Sequence, residues 1–252
     1  MKLAPAERLI VALDVDGVQE AERLVQLLVP LGVTHFKVGL NLFTQVGPMA
    51  VEAVHRNGGR VFLDLKFHDI PNTVGKAVKA AARLGVWMTN LHIQGGSTMM
   101  RKALAAVGEE ARQSGRKAPL LIGVTVLTSM AERDFVDLGL RKTLKDQVLY
   151  LARLAQSAGL NGIVASAQEA KVVRWTCGET FLIVTPGIRL AKAEPKLLSI
   201  ASSQQKDDQE RTATPSEAVR AGADYLVVGR PILEAPDPRG VVQAIVQECQ
   251  VN

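Results

Sequence analysis

Short apolar runs rich in β-branched residues alternate along this chain with longer stretches in which apolar residues recur every three or four positions. The first pattern is that of strands buried on both faces, and the second that of helices packed on one face. Strands are predicted at Arg8–Asp14, His35–Leu40, Arg60–Leu65, Met88–Ile93, Leu120–Leu127, Gly162–Ser166, Thr180–Thr185 and Tyr225–Gly229. Between them, Ala21–Leu31 carries Leu24, Leu27, Leu28 and Leu31 on one face, and Gly32 stops it. Thr73–Leu84 does the same with Val74, Ala77, Val78 and Ala81 and ends at Gly85; Asp146–Ala158 is a third helix. Thr214-Pro215-Ser216-Glu217 reads as a capping box with proline at the first helical position, and Gly222 closes that helix. Eight such strands with helices between them and no second composition regime predict one α/β domain over residues 1–252, a closed (β/α)8 TIM barrel. The one irregular stretch, at about 190–210, is polar, Gln/Ser-rich and long enough to be a lid or a disordered segment.

Composition narrows the class. Hydrophobic residues at 47% and aromatics at only 4% suit helices on a parallel sheet. A net charge of +5 without a run of like sign favours attraction of small anions over a nucleic-acid footprint, which needs a clustered basic stripe. Cys177 and Cys249 have no metal-ligand spacing and fit a reducing cytoplasm better than a disulfide scaffold. The N-terminal run is interrupted by Asp14 and lacks a signal-peptide cleavage site, and no stretch approaches a membrane span.

The candidate chemistry is concentrated at strand ends. In DLKFHDIPNT, Asp64–Thr73, the carboxylates of Asp64 and Asp69 flank the ammonium of Lys66. Asp64 and Lys66 fall two apart on one strand face, and Ile70 before Pro71 breaks the strand, leaving Asn72 or Thr73 to cap the next helix. A generic D-x-K would be a salt-bridge network closing the strand. Three charges within six positions beside His68 tip the balance toward function, because charges are rarely buried unless paired or used. Lys37, in the middle of HFKVGL, is expensive inside an apolar strand unless it meets a carboxylate. His92 reads as a buried structural histidine. Thr185-Pro186-Gly187-Ile188-Arg189 and Val228-Gly229-Arg230 end consecutive strands where barrels hold phosphate: glycines admit close backbone approach, and Arg230 supplies a bidentate donor.

With these segments in view, the chain resembles the bacterial type of the orotidine 5'-phosphate decarboxylase family. ALDV at 12–15, FKVGL at 36–40, FLDLKFHDIPNTV at 62–74, TVLTS at 125–129, VTPGIR at 184–189 and DYLVVGRPI at 224–232 carry the likeness, which spans essentially the whole chain. The resemblance implies decarboxylation of orotidine 5'-phosphate to uridine 5'-phosphate and CO2, the last step of de novo UMP synthesis, in the cytoplasm and with neither cofactor nor metal. It implies that Lys37, Asp64, Lys66 and Asp69 form an alternating charged tetrad with Lys66 the proton donor, and that Asp14 binds the ribose. Thr128 would contact the pyrimidine, with Arg189, Gln209, Gly229 and Arg230 around the phosphate; Gln204 and Gln205 compete with Gln209. It also implies a homodimer in which Asp69 and Thr73 reach the partner's active site, with no nucleic-acid or membrane partner.

The implied chemistry is physically coherent. Loss of CO2 from C6 leaves an sp2 carbanion that no neighbouring group delocalises well, and no motif points to thiamine, pyridoxal or flavin. Charge must then be stabilised by groups fixed in advance, and carboxylates on either side favour a charged Lys66. The alternative is a sister barrel, a sugar-phosphate decarboxylase or aldolase that shares D-x-K-x-x-D and uses Mg2+. That branch carries a carboxylate ligand where Lys37 stands here and lacks DIPNT. A catalytically silent phosphate-binding relative is a further alternative, disfavoured because it would bury alternating charges to no purpose.

Overall fold

Strands form at the predicted β-branched runs, and most are shorter than the apolar stretch that marks them. A computed structural model describes residues 3–190 and 211–250. In it β1 (Leu9–Ala12), β2 (His35–Gly39), β3 (Arg60–Phe67), β4 (Met88–His92), β5 (Leu120–Val124), β6 (Gly162–Val164), β7 (Leu182–Thr185) and β8 (Tyr225–Val228) pair in chain order. All pairings are parallel, and β8 closes the barrel on β1. Of the predicted loop at about 190–210, residues 191–210, with Gln204, Gln205 and Gln209, lie outside the described residues.

The connections are helical: α1 (Val18–Leu28), α2 (Leu40–Val46), α3 (Met49–Arg56), α4 (Pro71–Arg83), α5 (Gly96–Ser114), α6 (Glu132–Asp137), α7 (Leu144–Ala158), α8 (Ala167–Cys177), α9 (Pro215–Arg220), α10 (Arg230–Leu233) and α11 (Pro238–Glu248). After α1 the chain tightens into a 3-10 turn through Val29–Leu31 and ends on left-handed Gly32, as its sequence predicts. The predicted capping box is present at α9: the Thr214 hydroxyl accepts from the Glu217 amide, and the Glu217 carboxylate accepts from the Thr214 amide. None of the described helices is long and apolar enough to cross a membrane.

Two expectations are corrected. The third strand does not stop at Leu65 but continues to Phe67, through a residue, Lys66, with φ of 50°. Neither Asn72 nor Thr73 caps α4, because Pro71 takes the first helical position with Ile70 before it, which puts both polar residues inside the first turn.

The core is layered. Leu9, Val11, Leu13, Phe36, Val38, Val61 and Leu63 point outward from β1, β2 and β3 and the loop after β1, and pack beneath the surrounding helices. Ile10, Phe62, Met88, Ile122, Val184 and Tyr225 fill the barrel's interior. At its lower end His35 stacks at 4.0 Å on Trp87, which meets Tyr225 edge-on at 5.1 Å. Burial, aided by nearby Arg60, pushes the His35 pKa down to about 4.

Because the fold holds His35 neutral, the unfolded chain takes up a proton more readily as the pH falls through the ordinary histidine range toward 4. This contribution to stability is present above about pH 6.5 and is lost on acidification, to the extent of up to about 3 kcal/mol. Urea unfolding across this range should show the decline, and His35→Leu should flatten it, leaving the same-signed contributions of His55 and His92.

Candidate active site

Strand alternation turns one barrel face from an apolar floor into a charged mouth. Inward positions run from Ile10 through Ala12 to Asp14, from His35 to Lys37, from Phe62 through Asp64 to Lys66, and from Met88 to Asn90. They open into a cavity of about 330 Å³ at the C-terminal ends of the strands, where α/β barrels bind their ligands.

Lys37 and Asp64 form the centre. The Lys37 ammonium lies 3.0 Å from Asp14 Oδ1 and 3.5 Å from Asp64 Oδ2. On its other oxygen Asp64 accepts from the Lys66 ammonium at 2.7 Å and from Asn90 Nδ2 at 2.7 Å. Burial alone would discharge both central groups. For Lys37 the pull of Asp64 and Asp14 outweighs it, so the ammonium is held more firmly than usual. For Asp64, Lys37 and Lys66 outweigh it likewise, with Asn90 assisting, and the carboxyl sits below its ordinary range. The row therefore reads Asp14, Lys37, Asp64, Lys66, alternating in sign.

Room for that row depends on Gly39, the residue two beyond Lys37 on β2. A methyl group there would stand 2.8 Å from the Lys37 ammonium and 3.3 Å from Asp14 Oδ1. A methyl group at Gly229 would stand 3.3 Å from Ala12 Cβ and make ordinary contact with Asp14 Oδ2 at 3.4 Å, so Gly39 is the tighter position.

The bend in β3 is what delivers Lys66. Leu63 pairs with Thr89 and Phe67 with Leu91, so β3 takes four residue steps where β4 takes two. The backbone groups released by this bulge find side chains on β4: Thr89 Oγ1 donates to the Leu63 carbonyl at 2.9 Å, and the Lys66 amide donates to Asn90 Oδ1 at 2.8 Å. Beyond the bulge His68 and His92 lie face to face at a tilt, 5.3 Å apart. Burial, with help from His68 and Lys66, lowers the His92 pKa.

Of the residues singled out in the sequence, Asp14, Lys37, Asp64, Lys66, Thr128, Arg189, Gly229 and Arg230 line this one cavity. Arg230 opens α10 directly after Gly229. Asp69 and Thr73 do not line it: both are exposed, and the Asp69 carboxylate accepts from the Ile70 amide at 2.6 Å. Gln209 lies outside the described residues. Sequence reasoning missed Asn90, whose signal was a lone amide at an inward position of an apolar strand. It also missed Arg211, which makes a buried ion pair with Glu169 at 2.7 Å and donates to the carbonyls of Leu127 at 3.0 Å and Thr128 at 3.2 Å. The chain flanking Arg211 is tied back to β7's end, with Arg189 donating to the Ala213 carbonyl at 2.9 Å and the Ala213 amide to that of Gly187 at 3.1 Å. Among the described residues no three His, Cys, Asp or Glu side chains gather as metal ligands would.

Comparison with known proteins agrees over the full length. The profile of the orotidine 5'-phosphate decarboxylase / HUMPS family matches residues 7–245. An orotidine 5'-phosphate decarboxylase of Moorella thermoacetica is 47% identical, with 100% of this chain and 95% of that protein covered. One from Legionella pneumophila is 48% identical over 96% of this chain and 98% of its own. The crystal structure of orotidine 5'-phosphate decarboxylase from Lactobacillus acidophilus superposes with a TM-score of 0.81 at 35% identity, covering 97% of this chain and 100% of that one.

The close approach at Gly39 yields a prediction. Gly39→Ala should push the Lys37 ammonium away from Asp14, and because a long side chain yields more readily than backbone, the melting temperature should move by only about 3 °C or less. A crystal structure of the variant together with a thermal melt checks both parts.

Proposed function

The chain belongs to the orotidine 5'-phosphate decarboxylase / HUMPS family, and from this membership we infer that it is a carboxy-lyase converting orotidine 5'-phosphate to uridine 5'-phosphate and CO2 in pyrimidine biosynthesis. The observation that carries the reading is the alternation of Asp14, Lys37, Asp64 and Lys66, buried at its centre, in a cavity that also holds Arg189 and Arg230.

In the proposed reaction the bond from C6 to the carboxylate breaks, its electron pair stays on C6, and CO2 departs. Lys66 passes a proton to C6, and its amine is reprotonated from solvent. What supports Lys66 in this role is its 2.7 Å contact with Asp64, which fixes the ammonium before substrate arrives. Asp64 is held ionised by two cations and an amide, so it can act on the departing carboxylate without itself taking up the proton. Lys37 is the hinge of the array: clamped between Asp14 and Asp64, it keeps both carboxylates in place and leaves Asp14 to accept from ribose hydroxyls. The same clamp argues against the Mg2+-dependent sister reaction, for an ammonium occupies the position from which that branch ligates its metal.

Arg189, Gly229 and Arg230 supply the phosphate end, with Gln209 assigned there from the resemblance. Binding energy gained at phosphate, remote from C6, orders the reacting groups and raises the rate as well as affinity. Thr128 is assigned to the pyrimidine, and its backbone is steadied by Arg211.

We assign Asp69 and Thr73 to the site of a second copy, which makes the enzyme a homodimer with shared sites. Their exposure outside their own cavity supports this, as does exposed Ile70 between them. Cys177 and Cys249, free and buried, fit action in the cytoplasm.

Loss of orotidine 5'-phosphate, followed by ultraviolet absorbance in the presence of EDTA, tests the reading: the protein should turn over, and Lys66→Ala should lower kcat by about 10⁴-fold or more while still binding the product. Activity abolished by EDTA would return the chain to the metal-dependent branch. Mixing Lys66→Ala and Asp69→Ala subunits in equal amounts should restore about a quarter of wild-type activity if sites are shared, since half the dimers are mixed and each has one intact site. No recovery on mixing would sink the shared-site arrangement.

A further inference from the structure

We propose that Asn90 is a positioning residue for the reaction, its side-chain amide tying the Lys66 backbone and the Asp64 carboxylate into one ring that fixes where the Lys66 ammonium points. The inference rests on the reading of Lys66 as the proton donor.

Lys66 is the one non-glycine residue with positive φ among the described residues, at 50°. For a lysine that conformation is unfavourable by about 1 kcal/mol or more and persists only where the surroundings impose it. Here they do. The bulge between Leu63 and Phe67 deprives Lys66 of a ladder partner, and Asn90 Oδ1 takes its amide at 2.8 Å. Asn90 Nδ2 donates to Asp64 Oδ1 at 2.7 Å, and that same oxygen receives the Lys66 ammonium, also at 2.7 Å. The ring thus runs from the Lys66 backbone through Asn90 and Asp64 back to the tip of the Lys66 side chain. Asn90 is 1% exposed, so both bonds are made by a buried amide.

The residue type is demanding. A neutral amide offers one acceptor and one donor at fixed separation, matched to a backbone N–H on one side and a carboxylate on the other. Leucine of similar volume would leave both unsatisfied, and aspartate would accept from Lys66 but face Asp64 with a like charge. Thr89, next to it, donates its hydroxyl to the Leu63 carbonyl. Among the described residues, Asn90 is the side chain that bonds both the Lys66 amide and the Asp64 carboxylate.

The groups facing Asp64 decide how a substitution responds to pH. They are Lys37 from β2, with Asp14 beyond it; Lys66 from β3; and His92 from β4, with His68 beyond it. β5 brings Ile122 opposite Asn90.

Asn90→Ala should lower kcat by about 30-fold while KM changes by less than about threefold, since misplacement by an ångström or less costs rate more than binding. Titration with uridine 5'-phosphate, counting folded sites, keeps a loss of fold apart from a loss of rate. Asn90→Asp is the near-isosteric check. Protonated, its carboxylic acid reproduces the amide's acceptor and donor; ionised, it repels Asp64. Its kcat relative to wild type should therefore rise by about fivefold or more as pH is lowered from about 8 to 5. A kcat per folded site within about twofold of wild type for Asn90→Ala, or a flat ratio across pH for Asn90→Asp, would overturn the proposal. Wild-type protein that does not consume orotidine 5'-phosphate would instead remove the functional reading beneath it, a distinct outcome visible before any variant is made.

Discussion

One carboxylate, that of Asp64, shared between two ammonium groups in a place almost closed to water, is the constraint from which the upper half of this barrel follows. A buried anion with a single cation would break about even against desolvation; with Lys37 and Lys66 on its two oxygens and an amide beside them, ionisation is the favoured state. Each partner in turn requires something of the scaffold. Lys37 requires Asp14 as a second counter-ion and Gly39 as empty space, and Lys66 requires a strand that departs from regular pairing.

These demands divide the barrel along its axis. Its floor is apolar and aromatic, with a neutral histidine between Trp87 and Tyr225, and carries stability. Its mouth concentrates alternating charges that contribute little net stability but are organised before any ligand arrives. The outward strand faces and helices supply the apolar burial that lets the mouth be electrostatically expensive.

Most of this was legible in the sequence because period and composition report burial directly. LIVA, LIVT and YLVV have few conformational alternatives, and the charged positions stood out against apolar surroundings in HFKVGL and VFLDLKF. What escaped was whatever depends on pairing between distant segments. The extension of β3 through Lys66 arises from a register shift against β4, which no local pattern encodes. Asn90 acquires meaning only once that shift places it beside the Lys66 amide, and Arg211 only once its neighbourhood reaches Glu169 across the fold. The assignment of Asn72 or Thr73 as a cap failed for a local reason: proline's preference for the first helical position outweighed the polar side chains after it.

The ties between Gly187–Arg189 and Ala213 bring the two ends of the intervening stretch together on the rim. Seen from the barrel, the chain leaves the rim and rejoins it at one spot. The entropy of closing such an excursion grows only logarithmically, by about 0.6 kcal/mol for each doubling of length. Evolution is therefore free to lengthen or shorten the chain at this point without renegotiating the architecture that carries it.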